Sequence, residues 1–184
     1  MRDERNAYSG VLSGVQSVVF DLDGTFYDKR GLSRRMVKRL WWCLPLMAID
    51  RTAKGPLWRW IVGTRWHKQV YLRTMAQLIG ECCPRREETL ALLRACKQAG
   101  LRTAVYSDYA AVEEKLRALD IDPRQFDLII TAPELGGLKP SPQCARRVLE
   151  MLQAKPETTL FVGDRDEKDG EAARAVGARF VLVK

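Results

Sequence analysis

The chain has 184 residues, 46% hydrophobic and 29% charged, which is enough for one well-buried core with a modest insertion and too few for two full domains. No run approaches the roughly 18 apolar residues of a membrane span, and the opening Met-Arg-Asp-Glu-Arg-Asn is too polar for a secretion signal, so no transmembrane segment and a cytoplasmic location are expected. The formal charge of +8 is uneven: residues 26–85 hold thirteen Lys and Arg against three Asp and Glu, while the rest is slightly acidic at 18 against 20.

Residues 1–14 are polar and glycine-containing without sustained periodicity, and a flexible tail is expected there. Gln16 to Phe20 read as the first strand. A turn over 26–32 leads into a helix that Ser33 is placed to cap, with Met36, Val37, Leu40, Trp41 and Leu44 at helical spacing and Pro45 set to bend or end it. Lys54-Gly55-Pro56 reads as a turn, and a further helix carries Val70, Tyr71, Met75, Leu78 and Ile79. A small, basic helical cap holding all five tryptophans is thus predicted over 26–85, inserted into a core made of 15–25 and 86–184.

After Pro84 the pattern becomes regular alternation. Helices are predicted at Glu87 to Gln98, Ala110 to Leu119, Pro142 to Leu152 and Glu171 to Val176; strands at Leu101 to Tyr106, Phe126 to Ile130, Thr159 to Val162 and Phe180 to Val183. Five strands with helices between most of them predict an α/β fold whose parallel sheet is covered on both faces.

The run Val18-Val19-Phe20-Asp21-Leu22-Asp23-Gly24-Thr25 delivers two carboxylates at the carboxyl end of a strand, where open α/β sheets hold their ligands. Extended geometry would turn Asp21 and Asp23 to one face, and anions so close need a cation between them, a need that Mg²⁺ beside a phosphate meets. Asp21 is the candidate nucleophile toward phosphorus, and Asp23 the group that protonates the leaving alcohol and later takes a proton from water. Gly24 leaves room near the phosphate and Thr25 adds hydrogen bonds to it. Alone, Asp-Leu-Asp-Gly also reads as a turn held by Asx hydrogen bonds. Ser107, after an apolar run, offers a hydroxyl to a phosphoryl oxygen or else caps the next helix. Lys139, in Gly137-Leu138-Lys139-Pro140, offers charge to the transferring oxygens or else faces solvent. Gly163-Asp164 repeats the strand-to-carboxylate step, which makes Asp164 and, on the loop beyond, Asp169 candidate Mg²⁺ ligands, with Asp166 and Glu167 read as solvated charges.

Taken together these pieces resemble the four motifs of the haloacid dehalogenase-like superfamily: Asp21-Leu22-Asp23-Gly24-Thr25, Ser107, Lys139, and Gly163-Asp164 through Asp169. The resemblance implies a Rossmann-like sheet in the order 3-2-1-4-5, a Mg²⁺ cofactor bound also by the Asp23 backbone carbonyl, phosphate binding by Ser107 and Lys139, and a phosphatase-type member with its cap between the first and second motifs. Asp23 argues against the dehalogenase branch. Asp108 stands where Asn often follows the motif Ser, and brings a further negative charge toward the expected anion pocket.

The resulting expectation is Mg²⁺-dependent hydrolysis of a phosphate monoester through an aspartyl-phosphate, on a phosphorylated small molecule. The alternatives are a phosphomutase with the same nucleophile, and a non-enzymatic module that binds nucleic acid or protein on the same scaffold. In the cap, Arg34, Arg35, Lys38 and Arg39 are candidates for contacting the rest of the substrate, or form a solvated helix face. The tryptophans read as packing, or as a surface for an oligomer or protein partner or for nucleic acid. Cys43, Cys82, Cys83, Cys96 and Cys144 show no CxxC pair and read as reduced thiols, and His67 as structural or solvated.

Overall fold

The structure, a computed structural model, describes residues 4–41 and 64–183. The expected turn at Lys54-Gly55-Pro56, together with Trp42, Cys43, Trp58 and Trp60, lies outside the described residues, as do the side chains of Trp66 and His67.

Five parallel strands, β1 (Ser17–Phe20), β2 (Arg102–Ser107), β3 (Leu128–Thr131), β4 (Thr159–Gly163) and β5 (Arg179–Leu182), form one sheet in the order β3-β2-β1-β4-β5. All four residues of β1 are buried, as befits a strand flanked on both sides: Val18 pairs with Thr103 of β2 and Leu160 of β4, and Phe20 with Val105 and Val162. Side chains alternate between faces. Val19 joins Ala104, Tyr106 and Phe161 in a cluster closed by Val148, Leu149 and Leu152, whereas the Phe20 ring meets Phe26 and Phe126 at 5.4 and 6.4 Å. The helices of this unit are α1 (Glu4–Leu12), α4 (Glu87–Gln98), α5 (Val112–Ala118), α6 (Pro142–Leu152) and α7 (Glu171–Ala175), while α2 (Leu32–Leu40) and α3 (Thr64–Cys82) lie in the insertion. Ser141 caps α6 through the Cys144 N–H, with Pro142 at the first helical position.

The expected flexible tail is corrected: residues 4–12 form α1. Local sequence does not stabilise this short polar helix, but tertiary bonds do. The Arg179 guanidinium donates to the carbonyls of Val11 and Ser13, satisfying its open end, and the Tyr8 hydroxyl donates to the Glu88 carbonyl of α4.

The chain separates into two compact units, Met1–Asp28 with Pro84–Lys184, and Lys29–Cys83. In the second, α2 buries Leu32, Met36 and Leu40, one face at a four-residue repeat, and exposes Arg34, Arg35, Lys38 and Arg39. Arg35 donates to the Cys82 carbonyl at 2.7 Å, tying α2 to the end of α3. Ser33 does not cap α2; Gly31 occupies that position with a φ of 79°. No helix among the described residues is long and apolar enough to cross a membrane.

Candidate active site

Every strand end named from the sequence lies at the carboxyl edge of the sheet. Parallel pairing stops at Phe20, although the Asp21 N–H still reaches the Val162 carbonyl at 2.8 Å, and the chain then turns so that the Thr25 and Phe26 N–H groups both bond the Leu22 carbonyl. Gly24 makes that turn with a φ of 103°, a conformation side chains rarely adopt. Asp21 and Asp23 therefore leave a turn rather than one face of a strand, and they address different partners.

Asp21 is 5% exposed. One of its carboxylate oxygens accepts the Thr25 hydroxyl at 3.0 Å; the other lies 2.6 Å from the Lys139 ammonium. Lys139 also reaches Asp169 at 2.8 Å and lies 4.8 Å from the centre of the Tyr106 ring. Although burial opposes its charge, Asp21 and Asp169 hold the Lys139 ammonium above its ordinary range. Its backbone N–H donates to Asp108 at 2.8 Å, which fixes the loop after β3 against the end of β2. The charge brought by Asp108 is thereby taken up locally, since its other oxygen lies 3.2 Å from the Lys168 ammonium and 3.9 Å from the Arg165 guanidinium.

Asp164 follows β4 directly, and Asp169 stands on a single wide helical turn, Asp166–Gly170, where its carboxylate accepts the Arg165 N–H. One carboxylate oxygen each from Asp21, Asp164 and Asp169 lie within 4.8 Å of one another. Three converging anionic oxygens are the donor set that a hard divalent cation such as Mg²⁺ takes, so this cluster fits the ion. Gly163 allows the approach, because a Cβ there would fall on the Asp169 carboxyl. Gly163→Ala is accordingly expected to push Asp169 aside and weaken Mg²⁺ binding by about 10–100-fold, measured by calorimetric titration of the metal-free protein. Unchanged affinity would remove Asp169 from the ligand set.

Burial pushes the Asp21 carboxyl up to about 6, against the pull of Lys139 and with the Asp169 and Asp23 charges adding to the rise. Between its ordinary value of about 3.8 and this raised one, the folded chain holds a proton that the unfolded chain has released. Without metal, this group's contribution to stability is therefore present at low pH and lost as pH rises through that window, by about 3 kcal/mol. Metal-free Asp21→Asn is expected to lack this loss and to melt above the parent chain near neutral pH, with Mg²⁺ narrowing the gap. Equal melting temperatures without metal would contradict it.

Asp23 lies 8% exposed beside these groups. Its carboxylate accepts the Ser107 hydroxyl at 3.2 Å and the Tyr27 hydroxyl, and the ammonium of Lys115 meets its two oxygens at 2.7 and 2.9 Å. Ser107 in turn accepts the Tyr109 N–H at 3.0 Å. Sequence reasoning passed over Lys115 and Tyr27. The signal for Lys115 was its place on α5 between Val112, Leu116 and Leu119, all buried, on a face where a lysine is out of pattern. Arg34, Arg35, Lys38 and Arg39 belong to the other compact unit.

The sequence profile of the haloacid dehalogenase-like hydrolases matches residues 15–177. Over 94 residues, half of this chain, 33% are identical to the haloacid dehalogenase-like hydrolase domain-containing protein 3 of Bos taurus, and over 97 residues 36% are identical to the glyceraldehyde 3-phosphate phosphatase of Methanocaldococcus jannaschii. These matches span 37% and 42% of the two relatives, so the chain covers less than half the length of either. Among solved structures, CbbY from Rhodobacter sphaeroides in complex with phosphate superposes with a TM-score of 0.70 at 23% identity, covering 91% of this chain and 85% of that one, which is a likeness of fold.

Proposed function

Because the chain belongs to the haloacid dehalogenase-like hydrolases, we propose that it hydrolyses a phosphate monoester of a small molecule through a phosphoryl group carried by Asp21. The observation that carries this reading is the meeting of Asp21, Asp164 and Asp169 at the carboxyl edge of the sheet, with the Lys139 ammonium bonded to Asp21 and Asp169. In the first step a carboxylate oxygen of Asp21 bonds to phosphorus, the bond from phosphorus to the alcohol oxygen breaks, and Asp23, entering the step in its acid form, delivers its proton to that oxygen and is left a carboxylate. In the second, water attacks phosphorus, Asp23 takes a proton from the water, and the Asp21–phosphorus linkage breaks to release inorganic phosphate. Lys139 and the Ser107 hydroxyl are assigned to the phosphoryl oxygens, with Gly24 and Thr25 shaping the turn beside them. Mg²⁺, held by Asp21, Asp164, Asp169 and the Asp23 backbone carbonyl, would supply positive charge to offset repulsion between phosphate and Asp21. Arg34, Arg35, Lys38 and Arg39 are assigned to the part of the substrate beyond the phosphate.

The test is a panel of phosphomonoesters assayed with Mg²⁺ and with chelator. Alcohol and inorganic phosphate are expected to appear in equal amounts, and only with metal. Movement of phosphate within a molecule without net release would replace hydrolysis by phosphoryl transfer on the same nucleophile; binding of nucleic acid without turnover of any ester would overturn the enzymatic reading.

A further inference from the structure

Lys115 lies in none of the four motifs, yet it is completely buried and commits its ammonium to both oxygens of Asp23. A buried lysine is costly unless fully paired, and the residues that share its inward face, Val112, Leu116 and Leu119, are apolar and buried, so a residue there for packing alone would be better served by a methionine or leucine. The pairing also fixes more than charge. Asp23 receives hydroxyl bonds from Tyr27, on its own turn, and from Ser107, at the end of β2, while Lys115 approaches from the far side of that same loop on α5. Tyr27 bonds one oxygen and Ser107 the other, and Lys115 spans both with charge-assisted bonds, the strongest constraint on the rotation of the carboxylate.

We propose that Lys115 is a positioning residue for proton transfer: it holds the Asp23 carboxylate at the orientation from which a proton passes to the leaving alcohol and is later taken from water. This rests on the assignment of Asp23 as the acid/base. The hydrogen bonds of the Lys115 ammonium go to Asp23, with the Tyr109 ring 5.5 Å away, so its loss falls on the steps that move a proton.

Leaving-group dependence tests this. A nitrophenyl phosphate departs without a proton, whereas an alkyl phosphate needs one. In single-turnover experiments Lys115→Met is expected to slow the first release of an alkyl alcohol on the order of 10–100-fold, the scale for a misplaced reacting group, and the first release of nitrophenol by less than about threefold. Asp23→Asn is the control, with the same selectivity and a larger alkyl loss of about 10²–10⁴-fold. A second readout needs no turnover: in thermal unfolding without metal, the double variant Lys115→Met/Asp23→Asn is expected to melt no lower than Lys115→Met alone, because the carboxylate left unpaired has gone. If Lys115→Met does not fold, Lys115→Arg keeps a charge in altered geometry and carries the same expected selectivity. Equal slowing of both esters, no slowing of either, or additive losses in melting temperature overturn the role of Lys115 while leaving hydrolysis intact. A control Asp23→Asn without selectivity overturns the acid/base assignment itself, and this inference with it.

Discussion

Asp21→Asn is expected to cost at least about 10⁴-fold in kcat on any phosphomonoester the parent chain turns over, with KM little changed. An amide oxygen is too weak a nucleophile to displace an alcohol from phosphorus, and the residual route, direct attack by water, has no pre-placed nucleophile. The surroundings survive the change, since Thr25 still finds an oxygen acceptor and Lys139 keeps Asp169, so a loss of this size reports chemistry rather than unfolding. A companion measurement makes the case specific: the parent chain quenched during turnover of a radiolabelled ester retains hydroxylamine-labile label, and Asp21→Asn retains none. Turnover by Asp21→Asn at the parent rate would sink the mechanism.

Lys139→Met is the second large effect, and stability registers it first. The Lys139 side chain is 3% exposed and is shared between Asp21 and Asp169, which are 5% and 3% exposed. Removing the ammonium leaves buried carboxylates facing one another with nothing between them, a change worth about 3–5 kcal/mol when one partner of a buried ion pair is deleted. For a chain of this size that is a fall of about 10 °C in melting temperature. Saturating Mg²⁺ is expected to recover much of it, because a divalent cation bound in the same cluster answers the same repulsion, but not the activity, which stays about 10²-fold or more below the parent through loss of charge at the transferring oxygens. Metal-free Lys139→Met melting with the parent chain would mean that Lys139 does not balance these acids.

The sheet was legible because buried parallel strands leave blunt signatures. Val18-Val19-Phe20 runs directly into Asp21 and Leu160-Phe161-Val162 reaches Asp164 after Gly163, two apolar runs of strand length that each lead to an acid. The family resemblance added the strand order, which no local pattern contains. The beginning of the chain was misread for the opposite reason: α1 is held by Arg179 and Glu88, residues far away in sequence, so its own composition says little. Gly31 in place of Ser33 at the start of α2 is a choice between two good helix-starting residues two positions apart. Asp108 looked like an unhelpful charge because its partners, the Lys139 N–H, Lys168 and Arg165, come from two later loops. Lys115 stood inside Val-Glu-Glu-Lys-Leu-Arg-Ala, where charged neighbours suggest a solvated surface; only the three-and-four spacing of Val112, Leu116 and Leu119 placed it on the inward face.

The central position of β1 also governs when the protein can first work. Residues 17–20 wait between neighbours that arrive at 102–107 and 159–163, and Asp164 and Asp169 come later still. During synthesis Asp21 emerges before β2, β3 and β4, and the other acids of its cluster, Asp164 and Asp169, follow only after all three. Non-local closure of this kind is slow to form, so a nascent chain paused before residue 159 exposes one edge of its middle strand and has no means of retaining the ion.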